Sequence, residues 1–375
     1  MVADQQALPV ATQQVAAVDA QQIEHDLGQL WRELAAEPGT QVNRVCMFNL
    51  VVVAPASAAD RTLEMVLAVA GIHPCRALLL AVDESASAPA LEASVTAACR
   101  LPTAGGTQVC GEVIRLLAHG SAAMRSIGVV TPLLLPDLPT YLWWALPGPA
   151  QNALFERLSP LAERIIVDTR QGGEAAVALL AATVSHYRTT DWSDLAWTTL
   201  TPWRELVAEL FDPPEQLAML PAIDRLTVTS AGSPAAALLF AGWLATQLDW
   251  QPADSAIGQD DDAAWQWRLR GPAGDIAVLG RTTSPQFSVV DGALLGADIH
   301  AHTAERSMRC RIVRTAETTV RVRTVVSGEP VQERVMQLEP ERPETAIVQE
   351  VQQPVGDRIL LAALATVAAV ASRAG

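Results

Sequence analysis

Two histidines one residue apart, His300-Ala-His302, have the spacing by which a strand turns two imidazoles to the same side, where a metal ion could sit. Glu305 is the nearest third donor, but nothing in the sequence fixes it there, and no metal site is expected. His73-Pro-Cys75 is a weaker version of the pattern, and Asp260-Asp-Asp262 reads as a solvated acidic run rather than a magnesium site. Arginines at 306, 309, 311, 314, 321 and 323 would suit phosphate groups; a sheet face crossed by ion pairs to Glu317, Glu329 and Glu333 explains them equally well. There is no G-x-S-x-G, no H-E-x-x-H, no phosphate-binding G-x-x-x-x-G-K-[ST] and no G-x-G-x-x-G between a strand and a helix. All 26 basic residues are arginine, so lysine Schiff bases and lysine general bases are excluded together. The expectation is a chain with no catalytic residue, no metal and no cofactor.

What the sequence concentrates instead is tryptophan. Five of its ten lie in two segments. Thr131-Pro-Leu-Leu-Leu-Pro-Asp-Leu-Pro-Thr-Tyr-Leu-Trp-Trp-Ala-Leu-Pro147 is an apolar run broken by prolines 132, 136 and 139, which no bilayer-spanning helix tolerates so densely. Asp191-Trp-Ser-Asp-Leu-Ala-Trp-Thr-Thr-Leu-Thr-Pro-Trp-Arg-Glu205 carries Trp192, Trp197 and Trp203, and Thr201-Pro-Trp reads as a helix start with Thr201 as N-cap and Pro202 at the first helical position. Tryptophan and arginine dominate binding hot spots, because they bury a large rigid area and keep a polar handle. Asp137, Tyr141, Trp143, Trp144, Trp197, Trp203 and Arg204 are therefore the candidate partner-binding residues. For any single tryptophan the competing role, filling a core, has the greater weight; Arg204 and the loop at Asp137 are expected to be more exposed than the rings.

The elements that must position these residues follow from pattern. Asp19 caps a helix over 21–36 whose Ile23, Leu27, Leu30, Trp31 and Leu34 share one face. Strands at 44–54 and 76–82 flank a helix at 60–70, a right-handed crossover with a parallel pair. Hairpin strands at 95–100 and 108–117, a strand at 127–135, a helix at 153–162, a strand at 164–168 and a helix at 174–187 complete an α/β domain with a mixed sheet. Beyond Phe211-Asp-Pro-Pro-Glu215 come a strand at 225–229, a helix at 234–248, strands at 265–270, 275–280, 308–314, 320–326 and 331–338, and a helix at 357–373. Alternation in the strands at 308–314 and 320–326 predicts antiparallel pairing with one wet, basic face. The fold class is thus α/β, a mixed-sheet α/β N-terminal domain plus an α+β C-terminal domain. Its divisions are an arm at 1–18, an α/β domain at 19–190, a Trp-rich connecting segment at 191–222 and an α+β domain at 223–375.

A net charge of −15 argues against nucleic-acid and anionic-membrane partners. With no secretory pattern at the N-terminus and five cysteines lacking any C-x-x-C pair, reduced thiols and a cytoplasmic location are expected.

Leu135-Pro-Asp-Leu-Pro-Thr-Tyr-Leu-Trp-Trp144, Phe155-Glu-Arg-Leu158, Ile166-Val-Asp168 and Asp194-Leu-Ala-Trp-Thr-Thr-Leu-Thr-Pro-Trp-Arg-Glu-Leu206 together resemble the OpcA family of glucose-6-phosphate dehydrogenase assembly proteins, and the likeness extends through Arg44–Val53 and Ala241-Gly-Trp-Leu244. The resemblance implies a non-enzymatic protein that binds glucose-6-phosphate dehydrogenase, promotes its active oligomer and raises its activity. The alternative from the residues alone is a sugar-phosphate-binding protein or enzyme using a cleft between the two domains, with arginines on phosphate and Asp137, Asp168 or Asp194 as acid or base.

Overall fold

Asn49–Pro55 and Arg76–Asp83, the two runs with almost no polar face, lie parallel and side by side at the centre of a sheet, as fully covered strands must. The computed structural model describes residues 8–14, 18–36, 42–100, 108–149, 152–186, 190–253, 261–284, 286–353 and 356–374. Two compact units divide the chain. The first comprises 1–167, 189–192 and 343–356, the second 168–188, 193–342 and 357–375, so neither is one continuous stretch.

In the first unit the strands are β1 Leu8–Gln14, β2 Val42–Arg44, β3 Asn49–Pro55, β4 Arg76–Asp83, β5 Ala90–Arg100, β6 Gln108–His119, β7 Thr140–Trp144 and β8 Arg164–Val167, with β9 Asp191–Asp194 at the sheet's edge. Their order is β1-β5-β6-β4-β3-β7-β8-β9, with β2 beside β6. The β3–β4, β4–β6, β3–β7 and β7–β8 pairs are parallel, while β5–β6 and β1–β5 are antiparallel, giving the mixed sheet expected. The Ala20–Ala36 helix buries Ile23, Leu27, Leu30 and Leu34, and the Asp19 carboxylate accepts from the Gln22 N–H at 2.8 Å. The Ala59–Ile72 helix packs on β4 to β6, and the Pro343–Gln352 helix packs on it in turn.

Three expectations are corrected here. Leu8–Gln14, placed in an arm, is a strand paired with β5. Residues 127–135, read as a strand, form a helix over Ile127–Leu133, because a short apolar run fits either state and periodicity cannot separate them. The strand of that region is the Thr-Tyr-Leu-Trp-Trp run, β7, which follows the last of the three prolines. Cys99 and Cys110, expected as thiols, form a disulfide, because the antiparallel register sets them directly opposite with Cα atoms 4.1 Å apart. Burial pushes the free Cys46 thiol up to about 11 and raises Cys75 and Cys310 as well, so none of these is a ready nucleophile.

A charged network is buried in this unit. Glu112, wholly inaccessible, accepts from Arg76 Nε at 2.5 Å, from Arg44 Nε at 2.8 Å and Nη2 at 3.1 Å, and from Trp31 Nε1 at 3.1 Å. Arg76, also buried, pairs with Glu24 and donates to the Leu133 carbonyl at 2.7 Å, tying the C-terminal end of the Ile127–Leu133 helix to the sheet.

The second unit holds β10 Ile223–Ala231, β11 Gln251–Pro252, β12 Trp265–Gly271, β13 Gly274–Thr283, β14 Leu294–His302, β15 Ser307–Ala316, β16 Thr319–Val326 and β17 Glu329–Gln337. The order is β11-β12-β13-β10-β14-β15-β16-β17, with only β10–β13 parallel. The Ala235–Gln247 helix covers β10 and β13 and packs against the Arg358–Ala374 and Gly173–His186 helices. Gly242 permits that crossing, since a Cβ there would lie 2.8 Å from the Ala363 carbonyl oxygen. The alternation read in β15 and β16 is observed: Cys310, Ile312, Val320 and Val322 are buried, while Arg309, Arg311, Arg321 and Arg323 are exposed. Among the described residues no helix is long and apolar enough to cross a membrane.

Candidate partner-contact surfaces

The first tryptophan segment is organised by Asn49, the buried first residue of β3. Its side-chain amide donates to the Leu135 and Leu138 carbonyls at 3.0 and 3.2 Å and to Thr140 Oγ1 at 3.2 Å, and its oxygen accepts from the Leu135 N–H at 2.9 Å. These bonds close the proline-rich turn and leave Asp137 exposed at its tip. β7 then enters the sheet. Trp143 and Trp144 are 3% and 1% exposed, with Trp143 paired to Val52 on one side and Ile166 on the other. Trp144 meets Phe155 edge-on at 5.2 Å, and Phe155 lies 6.1 Å from Trp192. Tyr141 is half-buried; its ring stacks on Phe48 at 5.1 Å and lies 5.3 Å from the Arg164 guanidinium. Arg164 in turn donates to the Glu350 and Gln353 carbonyls.

From Ser193 onward the second segment belongs to the other unit. The Asp194 carboxylate is wholly buried and accepts three bonds, from the Thr169 and Ala196 N–H groups at 3.1 and 3.0 Å and from Thr169 Oγ1 at 2.6 Å. Burial, and then the neighbouring Asp168 carboxylate, push it up to about 7 against those bonds. Asp168 itself is held by Arg170 through two bonds of 2.8 and 2.7 Å. Because Asp194 is protonated more readily folded than unfolded, its contribution to stability is fully present below about pH 3.8 and is lost as pH rises through about 7. Asp194→Asn keeps an oxygen for the two N–H donors and can donate from its amide nitrogen to Thr169 Oγ1, reversing that one bond, and it does not ionise. The urea midpoint of the wild type should therefore fall relative to that variant across this window; parallel midpoints from pH 4 to 7 would contradict the assignment.

Trp197, 3% exposed, donates from Nε1 to Asp357 Oδ2 at 2.6 Å, and Asp357 Oδ1 accepts from the Ile359 and Leu360 N–H groups that begin the last helix. The Arg204 guanidinium lies 3.8 Å from the centre of the Trp197 ring, 3.9 Å from Asp357 Oδ2 and 2.9 Å from Thr201 Oγ1. Its side chain is 15% exposed, a rim position rather than a free arm. The helix begins at Thr201 with Leu200 in the cap position, one residue earlier than the sequence suggests, and the threonine hydroxyl serves Arg204 instead of the backbone. Trp203 is fully inaccessible, beneath Arg314 at 5.6 Å.

All four candidate tryptophans (143, 144, 197 and 203) therefore lie under the surface and shape it from below. Asp137 is exposed, and Tyr141 and Arg204 are half-buried. Asp137, Tyr141, Trp143 and Trp144 fall in one unit, and Trp197, Trp203 and Arg204 in the other. Residue type marked these rings as important but could not say which way they face, since a tryptophan suits core and interface alike.

The arginine-bearing face of the second sheet is the feature the composition hinted at and the pattern located. Asp298 gathers Arg309 by two bonds of 2.9 and 2.6 Å, Arg311 at 3.8 Å and His300 Nε2 at 3.1 Å. A basin of about 610 Å³ above it is lined by Arg225, Arg281, His300 and Arg309 among others. Arg314, placed in the same stripe by its number, points the other way, is 4% exposed and pairs with Glu341. Arg306 pairs with Glu215 at 3.5 Å. Among the described residues the ion-pair partners of these arginines are thus Asp298, Glu341 and Glu215, not the Glu317, Glu329 and Glu333 carboxylates that sequence proximity suggested. Among the described residues no group of three histidine, cysteine, aspartate or glutamate side chains is placed to hold a metal.

Residues 66–183 match the family model described as the glucose-6-phosphate dehydrogenase subunit N-terminal domain, and residues 190–364 match the one described as its C-terminal domain. A Synechocystis protein named OxPP cycle protein OpcA is 36% identical over 189 residues, and its namesake in Nostoc punctiforme is 36% identical over 182. The first match takes in 49% of this chain and 39% of the relative, so the chain spans well under half the length of that cyanobacterial protein. A 3-ketoreductase from Actinomadura kijaniata, crystallised with TDP-benzene and NADP, is 12% identical with a TM-score of 0.48, covering 87% of this chain and 97% of that one. An aldose-aldose oxidoreductase from Caulobacter crescentus is 11% identical with a TM-score of 0.44, covering 87% and 97%. At such low identity the likeness says nothing of cofactor or substrate.

Proposed function

This chain belongs to the OpcA family, and from that premise we propose that it is a non-catalytic partner of glucose-6-phosphate dehydrogenase that promotes the enzyme's active oligomer in the oxidative pentose phosphate pathway. The observation that carries this reading is the match of both family domains over most of the chain. The site chemistry agrees with it. Of the three carboxylates that could serve as acid or base, Asp168 is bonded to Arg170, Asp194 is a buried cap, and Asp137 is exposed. A binding protein activates an enzyme only by holding its active state more tightly than its inactive one, and the enzyme's active oligomer is that state here.

In this reading the exposed Asp137 turn of the first unit and, separately, the Arg204 rim of the second unit are each a contact point, held in a fixed direction by the tryptophans of its own unit. Asp137→Ala and Arg204→Ala should each weaken affinity for the dehydrogenase about tenfold, with the melting temperature of the isolated chain nearly unchanged for Asp137→Ala and modestly lowered for Arg204→Ala, which also loses its contact with Trp197. The check is a titration of purified dehydrogenase by each variant, read by initial rate and by size-exclusion chromatography. Normal affinity in both variants would remove this region from the contact and leave family membership standing alone.

A further inference from the structure

One corner of the second sheet combines three features that do not usually coexist on a solvated surface. β17 is the last strand: its ladder partner is β16, and its outer edge carries a row of main-chain donors and acceptors over a nine-residue strand. The opposite end of the sheet closes with β11, only two residues long, which is the ordinary way to blunt an edge. β17 has Pro330 near its start, yet Val331 and Val335 stand 54% and 62% exposed along it. On β16 beside them, Arg321 is opposite Val335 and Arg323 is opposite Glu333. Both arginines are exposed, and neither has a carboxylate within 4.0 Å among the described residues, whereas Arg309 and Arg311 on β15 converge on Asp298. Among the described residues, two exposed guanidiniums outside any ion pair of 4.0 Å or less thus lie next to two exposed valines on a strand with no ladder partner on its outer side.

We propose that this corner is a docking surface for an acidic strand of the partner dehydrogenase, added antiparallel or parallel to β17, with its carboxylates on Arg321 and Arg323. The proposal rests on the partner assigned above. Strand addition supplies main-chain bonds from the edge, alternate side chains would bury Val331 and Val335, and guanidinium groups select carboxylates by paired hydrogen bonds. A second copy of this chain fits less well. The antiparallel register that sets Val331 against Val335 of a symmetry mate places Glu333 against its own copy, a like-charge clash fixed by symmetry, whereas a partner strand can hold its carboxylates over Arg321 and Arg323 and away from Glu333. Nucleic acid is disfavoured by the net charge.

Three variants test it: the double substitution Arg321→Glu/Arg323→Glu, Val335→Lys, and Glu333→Gln. All change exposed side chains, and their melting temperatures confirm the fold. Purified glucose-6-phosphate dehydrogenase from the same organism is the probe, with affinity measured at low and high salt. The charge reversal and Val335→Lys should each weaken binding at least about tenfold, and the charge reversal should flatten the salt dependence. Glu333→Gln, which removes the carboxylate from the row, should tighten binding a few-fold, an effect that a merely structural role does not produce. Wild-type binding with all variants within about twofold would overturn this surface and leave the partner assignment intact. No binding by the wild type would overturn both. Dimers of the isolated chain that Val335→Lys converts to monomers would show that a second copy occupies the edge, and would overturn the proposal.

Discussion

Trp203→Ala should lower the stability of the isolated chain by about 3–5 kcal/mol, the cost of emptying a large aromatic site that cannot collapse. The indole is fully inaccessible, and the residue above it, Arg314, is fixed by the Leu294 and Glu317 carbonyls and by Glu341, so it cannot drop into the space. Domains have roughly 5–15 kcal/mol in total, so yield and urea midpoint should both fall steeply. Trp203→Phe, which keeps most of the volume, should cost much less. The comparison with Arg204→Ala separates core from contact: the tryptophan variant loses stability measured without any partner, the arginine variant loses affinity measured with one. A loss under about 1 kcal/mol for Trp203→Ala would mean the ring is not the keystone its burial indicates.

Removing Glu112 should have an effect of similar size for an electrostatic reason. Arg76 is 2% exposed, and Glu112 is its fully buried partner, so Glu112→Ala leaves a guanidinium short of its charge balance inside the first unit. Breaking such a pair from one side costs about 3–5 kcal/mol, because the remaining charge has been taken out of water without compensation. Replacing both residues by apolar ones of similar length, Arg76→Met with Glu112→Met, should recover a large part of the loss despite two substitutions. Denaturant midpoints for the two single variants and the double variant check this. A double variant at least as damaged as the sum of its parts would contradict the account, pointing to the bond from Arg76 to the Leu133 carbonyl as the larger contribution.

The sequence made some of this architecture legible and hid the rest for identifiable reasons. The β3–β4 pair was readable because Leu50-Val-Val-Val53 and Leu78-Leu-Leu80 have no polar face, and the basic face of β15–β16 was readable because alternation with period two is unambiguous over eight residues or more. The Ile127–Leu133 helix was not, since a seven-residue apolar run fits either state. β14 was missed because Gly296, Ala297 and Ala301 give it little strand character; its place depends on pairing with β10 and β15, which no local window contains. The disulfide escaped for the same reason: Cys99 and Cys110 meet through register, not through motif. At the candidate site, type and spacing found the segments, while Asn49 closes the turn before β7, Asp194 caps the second segment and Asp357 holds the Trp197 indole, polar residues whose tertiary partners a sequence does not display.

The central claim is that this chain acts by binding glucose-6-phosphate dehydrogenase and favouring its active oligomer. The measurement that tests it most directly follows the dehydrogenase's mass by light scattering and its initial rate in one titration with this chain. The account predicts that both rise together with a shared midpoint, and that the larger species contains this chain. An unchanged mass and rate with this chain in excess would contradict it.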